Sequence, residues 1–378
     1  MKILLAFDSF KESMSSLEAA KAFEKGFAKV GNNHKFETML ISDGGEGFMD
    51  SLIYQRGKRV TRQITGPLGE KIRAPFGIIE GKQTIAVVEM AHASGLEMVP
   101  LKKRNPMKTS SYGTGELINS ALKLGAQEII VGIGGSATVD GGLGMASALG
   151  VSFYDKKGKK ISGVLTGKHL SIIDKIDLDN LNPLLTNCKI TVACDVTNPL
   201  CGKRGAAYVF GPQKGATSSM VKKLDEGLSN LAKVIKRDLD VDIKTVPGSG
   251  AAGGIGAMLM ALAKAQLKSG IDIVLDSLNF EAKSKKADLI VTGEGRVDFQ
   301  SLDGKTISGI ASRANGTAVL AIGGAVEDEH LDALYRAGIT ATMPLVTCPI
   351  DLETAIKNGK KAMLQTGERV ARMMMLAK

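Results

Sequence analysis

An open α/β fold is predicted: a doubly wound, mostly parallel sheet made from both chain ends, with a second α/β domain inserted between them. Three observations carry this expectation. At both ends of the 378-residue chain, short apolar runs alternate with stretches of helical periodicity. The middle breaks that rhythm with β-rich runs separated by tight turns. Glycine is in excess, at 45 residues or roughly 12% against a usual value of about 7%, and it clusters in a few loops.

Lys2–Phe7 is a continuous apolar run ending in Asp8, the pattern of a strand buried on both faces. Ser15 followed by Glu18 spells a capping box, and Leu17, Ala20, Phe23, Phe27 and Val30 continue at helical spacing. A second strand over 36–41 leads into Asp43-Gly44-Gly45-Glu46-Gly47 and another helix. From Val60 to Met90 the runs 60–65, 72–79 and 84–90 are parted by Gly66-Pro67-Leu68-Gly69 and Glu80-Gly81-Lys82, which predicts an antiparallel meander. Strands follow at 128–133 and 190–195, and a long amphipathic helix at 221–239. After Ser284 the βα rhythm returns, with strands at 288–292, 319–322 and 341–346 and a closing helix from about Leu352. The predicted domains are therefore 1–62 with 284–378, and an inserted α/β domain over 63–283 that contains the meander and the glycine-rich loops. Ligands of such sheets sit beyond the strands' carboxyl ends, so the expected site is the interdomain cleft.

Composition excludes several classes. The net charge is +10, but the lysines are scattered, and an aromatic fraction of 4% without tryptophan supplies few stacking platforms for nucleic acid. The four cysteines show no C-x-x-C pair and no histidine at zinc spacing. No segment approaches the roughly 18 apolar residues of a membrane span, and the first ten residues are too short an apolar run for a signal core. A cytoplasmic protein with neither nucleic-acid nor membrane partners is expected.

The densest signal is Gly132-Ile133-Gly134-Gly135-Ser136-Ala137-Thr138-Val139-Asp140-Gly141-Gly142-Leu143-Gly144, after a predicted strand and before a helix. A second cluster, Gly248-Ser249-Gly250-Ala251-Ala252-Gly253-Gly254-Ile255-Gly256, also opens a helix. Such loops bring backbone amides close to an anion; the alternative is tight turns and close packing. Both also satisfy the dinucleotide spacing, as Gly132-x-Gly134-x-x-Ala137 and Gly248-x-Gly250-x-x-Gly253, which keeps a nicotinamide-dependent oxidoreductase open. Gly304-Lys305-Thr306 ends like a P-loop, but Phe299 stands where that pattern needs glycine. What a dehydrogenase leaves unexplained is the acids: Asp8, Asp43, Asp195 and Glu294 stand at or just beyond strand ends, with Asp298 close behind. Phosphoryl transfer needs acids for Mg²⁺, one to orient the attacking hydroxyl, and cations for phosphate. Lys11, Arg296 and Lys305 lie beside the same loops. A non-catalytic sugar-acid sensor is a further alternative, one that would need the glycine loops and not the acids. The histidines His34, His92, His169 and His330 are dispersed, and no G-x-S-x-G elbow occurs.

The chain resembles the bacterial glycerate kinase family. The matching blocks are Asp8-Ser9-Phe10-Lys11-Glu12-Ser13, Asp43-Gly44-Gly45-Glu46-Gly47, Gly66-Pro67-Leu68-Gly69, Gly113-Thr114-Gly115-Glu116-Leu117-Ile118 and Gly134-Gly135-Ser136-Ala137-Thr138. Ala193-Cys194-Asp195-Val196-Thr197-Asn198-Pro199-Leu200, Phe210-Gly211-Pro212-Gln213-Lys214-Gly215-Ala216 and Thr292-Gly293-Glu294-Gly295-Arg296-Val297-Asp298 complete the series, so the resemblance spans nearly the whole chain. Three departures stand out: Phe48 for a common threonine, His92 for alanine and Val139 for a frequent asparagine.

The resemblance implies a flavodoxin-like domain with an inserted second domain, and ATP- and Mg²⁺-dependent phosphorylation of D-glycerate, with the 2-phosphate favoured over the 3-phosphate. A monomer or homodimer is expected. The roles that follow are inferred from placement. Asp195 orients the glycerate hydroxyl, and Asp8 and Glu294 hold Mg²⁺. Lys11, Arg296 and Lys305 neutralise phosphate or the glycerate carboxylate. Ser9, Asp43, Gly44, Gly45, Gly134, Gly135, Ser136, Thr138, Asp140, Gly250, Gly253, Gly254 and Asp298 contact substrate or phosphate, the glycines through their amides.

Overall fold

The computed structural model describes residues 1–31, 33–45, 47–298 and 306–376. The chain forms two compact units, one of Met1–Asp43, Asp50–Leu52 and Ser269–Lys378, the other of Gly44–Met49 and Ile53–Lys268.

In the first unit five parallel strands lie in the order Ala341–Pro344, Val319–Val326, Leu289–Val297, Lys2–Phe7, Lys35–Leu40. Numbered along the chain within the unit this is 2-1-3-4-5, the flavodoxin-like doubly wound order. The apolar runs fill one core, with Ile3, Leu5, Phe7, Phe23, Phe27, Val291, Ile322 and Met363 all buried. The capping box forms as spelled: the Ser15 hydroxyl accepts from the Glu18 amide, and the Glu18 carboxylate accepts from the Ser15 amide. Phe23 and Phe27 then face the sheet, while Leu17 is only half-buried and Val30 lies past the helix end.

Two strands outrun the prediction. Lys2–Phe7 stops opposite Gly293, but the neighbouring strand continues alone against Val319–Val326 as far as Val297. Glu294 and Arg296 are therefore inside a strand and not on the loop after it. The closing helix is two helices, Leu352–Lys357, capped by the Asp351 carboxylate, and Gly359–Met375.

The second unit holds a six-stranded sheet in the order Gln266–Lys268, Lys189–Ala193, Glu128–Gly132, Ile85–Glu89, Lys71–Ile79, Gly57–Thr65. The last three are the predicted antiparallel meander. The meander is one side of a larger sheet, because Ile85–Glu89 also pairs in parallel with Glu128–Gly132. The parallel strands end level with one another, Glu89 opposite Gly132, Gly132 opposite Ala193 and Ala193 opposite Lys268. Ser218–Leu239, capped by the Thr217 hydroxyl, is the predicted long helix.

Both domain boundaries shift from the predicted 1–62, 63–283 and 284–378. Gly57–Thr65 pairs along its whole length with Lys71–Ile79, which draws residues from 53 onward into the second unit. The helices Gly270–Ser277 and Phe280–Ser284 belong to the first unit, where Arg313 bridges Asp272, Asp276 and Glu281. Among the described residues no helix is long and apolar enough to cross a membrane.

Candidate active site

At the carboxyl end of the first unit's sheet, Asp8 follows the first strand and Glu294 lies in the third. These two strands flank the point where the strand order reverses, the position at which doubly wound sheets hold ligands. Asp8 is buried, and its carboxylate accepts from the Thr306 hydroxyl at 2.6 Å and from the Ser9 amide at 2.6 Å. Burial pushes its pKa up to about 7; the hydrogen bonds oppose that shift, and the charges of Asp43 and Glu294 add to it. Asp8, Asp43 and Glu294, predicted from separate strand ends, are thus one electrostatic group. Lys11 is exposed, and its backbone runs beside Gly295. Arg296 is committed elsewhere: it is exposed, its guanidinium donates to Glu327, and it lies 3.4 Å from Asp298. For Arg296 to neutralise phosphate it would have to leave this exposed pair, which exposed ion pairs do at little cost. Lys305 and Glu46 lie outside the described residues.

In the second unit the first glycine cluster follows the strand Glu128–Gly132. Gly134 and Gly135 are exposed, and Ser136 and Thr138 are buried just behind them. The loop is tied down on one side by Ser94 and Leu96, whose backbones bond Ala137 and Gly135. On the other side Gly134 lies against Gly44, where a Cβ would sit 3.1 Å from the carbonyl oxygen. Two loops singled out separately in the sequence therefore meet. Gly135 adopts φ +67°, a conformation that suits glycine. Among the described residues no protein acceptor takes the amides of Gly134, Gly135 or Ser136.

The second glycine cluster behaves differently. Gly250, Gly253 and Gly254 are buried, and their amides donate to Asn198, Gly250 and Ala251. A Cβ on Gly253 would stand 2.1 Å from the Thr138 carbonyl oxygen, and one on Gly250 2.2 Å from that of Pro199. These glycines serve close packing, in part against the first cluster, and their amides are taken by the chain's own carbonyls rather than left for an anion as expected. Asp140 is also reassigned. It is fully buried and accepts from the Ser111 amide and hydroxyl and from the Gly142 and Gly144 amides, so it anchors the loop from within. Asp195 stands two residues past the end of its strand and is exposed. Of the three departures, Val139 is a core residue. Phe48 is buried with its ring over Gly132, and His92 lies 3.2 Å from Glu89.

Three residues of these clusters were missed. Glu89 ends its strand as Asp8 does, is buried, and accepts from the Met49 amide at 2.6 Å; its position after an apolar run was the same signal that selected Asp8. Thr306, the last residue of the P-loop-like Gly304-Lys305-Thr306, instead donates its hydroxyl to Asp8. Lys214 is buried beneath the first glycine loop, donating to the Ser136 hydroxyl at 2.6 Å and the Thr138 carbonyl at 2.7 Å, and nothing local in the sequence announces that. The buried and half-buried cysteines are held protonated, with Cys188 pushed up to about 11 and Cys201 to about 12 by burial.

The model of the glycerate kinase family matches residues 3–375. The chain belongs to the glycerate kinase family. It is 46% identical over 377 residues to the glycerate kinase of Haemophilus influenzae, covering 99% of both chains. It is also 46% identical over 374 residues to the glycerate 2-kinase of Escherichia coli K12, covering 98% of this chain and 97% of that one. A crystal structure of a candidate glycerate kinase 2 from Salmonella typhimurium LT2 superposes with a TM-score of 0.89 at 44% identity, over 100% of this chain and 99% of that one. Membership makes the chain an enzyme of the kinase class and accounts for the flavodoxin-like unit with its inserted partner.

Proposed function

We propose that the chain transfers the γ-phosphoryl group of ATP to D-glycerate, at the 2-hydroxyl. The observation that carries this reading is the acid group at the strand-order reversal of the first unit, where Asp8 is buried beside Asp43 and Glu294. Three carboxylates whose mutual repulsion helps keep one of them protonated are a donor set suited to a divalent cation, since oxygen ligands and charge relief are what Mg²⁺ supplies and requires. Among the described residues no three acidic, histidine or cysteine side chains form a ready-made cage. That suits Mg²⁺, which is commonly held by one or two carboxylates together with substrate phosphates. Asp8 and Glu294 would hold it; when bound, the cation neutralises phosphate charge during transfer.

The remaining roles belong to the chain's own residues. Thr306 and the Ser9 amide fix the Asp8 carboxylate. Lys11 supplies an exposed positive charge beside the acids. The amides of Gly134 and Gly135 bind an anionic group of ATP or glycerate. Asp195, exposed at its strand end, orients the attacking hydroxyl. The 2-position is supported by the name of the Escherichia coli relative.

The test is ADP release measured against a panel of small hydroxy acids. D-glycerate is expected to stimulate release far above the others. Equal stimulation by unrelated hydroxy acids overturns the substrate. Binding of NADH, followed by fluorescence, with no binding of ATP overturns the reaction class.

A further inference from the structure

Lysine is almost never fully buried unless it is paired, because removing an ammonium from water is costly. Lys214 is 2% exposed, in the turn Pro212–Lys214 that follows the helix Ala206–Phe210. Gly215, at φ +86°, seats this turn against the backbone of Arg104, where a Cβ would meet the carbonyl oxygen at 2.2 Å. The fold thus delivers one long side chain to the underside of the loop at 134–138. Its two partners there are the Ser136 hydroxyl and the Thr138 carbonyl.

An ammonium can only donate. The Ser136 oxygen accepts from it, which leaves the single hydroxyl proton of Ser136 to be given to something else. Among the described residues the Ser136 hydroxyl has no partner besides Lys214, and Gly134 and Gly135 beside it are exposed. A second polar atom of the same loop, the Thr138 hydroxyl, is buried with no hydrogen-bond partner among the described residues. Both features point to a group that the protein does not itself provide.

We propose that Lys214 is a positioning residue for the anion-binding loop: its ammonium holds the Ser136 hydroxyl with its proton directed to an anionic group, phosphate or carboxylate, of a substrate. The inference rests on the kinase reading for the identity of the substrates, and on the loop alone for the binding of an anion. Burial brings the Lys214 pKa down to about 7, with the charge of Asp140 opposing the shift. Asp140 is the charged group that acts on Lys214 among the described residues, and it is itself buried and shifted toward its neutral form. A bound anion favours the ammonium, so binding takes up a proton near neutrality.

The experiment compares wild type, Lys214→Met, Ser136→Ala and the double variant, measuring kcat and KM for ATP and for D-glycerate from pH 6 to 9. In wild type, KM for one of the two substrates is expected to rise above pH 7. Each single variant should raise that KM about tenfold at pH 6.5 and flatten its rise with pH. The double variant should be no worse than Lys214→Met, because the two residues act through one hydrogen bond. Asp8 also titrates near pH 7 but is retained in every variant, so the difference between profiles reads Lys214. Unchanged KM and pH dependence in a folded Lys214→Met, or effects that multiply in the double variant, overturn the proposal. Should Lys214→Met fail to fold, Ser136→Ala decides by the same criteria. If wild type does not phosphorylate D-glycerate, the kinase reading fails separately. Calorimetric titration with pyrophosphate then tests the loop: weaker binding in Ser136→Ala supports the proposal, and equal binding overturns it.

Discussion

Gly134 and Gly135 of the first glycine cluster face solvent with their amides unclaimed among the described residues, whereas Gly250, Gly253 and Gly254 of the second are buried with every amide bonded to the chain. Both clusters satisfy the same spacing, and both open a helix. What glycine supplies in each is close approach. In one loop the approaching partner is left for a ligand, and in the other it is the protein's own backbone. Two buried acids divide in the same way. Asp140 has four donors from its own surroundings, while Asp8 has two and shares its position with two further carboxylates. Burial alone does not mark a functional group; the donors already committed to it decide.

The sharpest attempt to break this comparison is Gly253→Val. A Cβ there meets the Thr138 carbonyl at 2.1 Å in a backbone of φ +70°, so loss of more than about 4 kcal/mol and little soluble folded protein are expected. A folded, thermally normal variant would show that the second cluster does not depend on close packing. Asp140→Ala comes next, at about 3–4 kcal/mol, because it leaves buried donors unsatisfied. A fall in thermal stability measured by calorimetry checks it, and an unchanged melting temperature contradicts the anchor role.

Asp8→Asn should act in the opposite direction. The folded pKa of Asp8, about 7, lies above its ordinary value of 3.8. Between these values the folded state holds more protons than the unfolded chain, so the stability contributed by neutral Asp8 is complete below about pH 4. It is lost as pH rises through about 7. Asparagine removes that penalty, so without divalent cation the variant should be more stable than wild type at pH 8, by about 2–4 kcal/mol at 1.36 kcal/mol per pKa unit. The difference should vanish near pH 4, and kinase activity should be lost. Denaturant unfolding at the two pH values reads this directly; equal stabilities at pH 8 contradict the burial of an ionisable acid. The smallest effect is that of Gly135→Ala, about 1 kcal/mol in stability for a side chain at positive φ, since its Cβ would find only Ala91 at 3.6 Å. KM for one substrate should nevertheless rise about tenfold. A KM equal to wild type would make the loop a turn and nothing more.

Much of the fold was legible because its signals are local. Apolar runs, the Ser15–Glu18 box and the turn at Gly66-Pro67-Leu68-Gly69 each act over a few residues; the box and the turn form as expected, and the runs mark their strands though not every strand's end. Glu89 carries the same local signal as Asp8 and is a miss of reading; the other differences are long-range. The third strand's extension to Val297 depends on a partner that is itself extended, and the domain boundary on which sheet Gly57–Thr65 joins. At the site, Asp8 and Gly134–Gly135 were legible as a strand-end acid and a glycine loop. The packing of Gly253 against Thr138, the two Ser111 donors to Asp140 and the arrival of Lys214 under Ser136 each join residues at least 29 positions apart, beyond any local window of sequence.

The central claim is phosphoryl transfer to D-glycerate, and phosphorus NMR of the reaction mixture tests it most directly. Wild-type protein incubated with ATP, Mg²⁺ and D-glycerate should convert the ATP signals to those of ADP. A phosphomonoester resonance matching authentic 2-phosphoglycerate should appear with them, and excess chelator should abolish both changes. ATP left intact in the presence of D-glycerate and Mg²⁺, or turnover unaffected by chelator, would contradict the account.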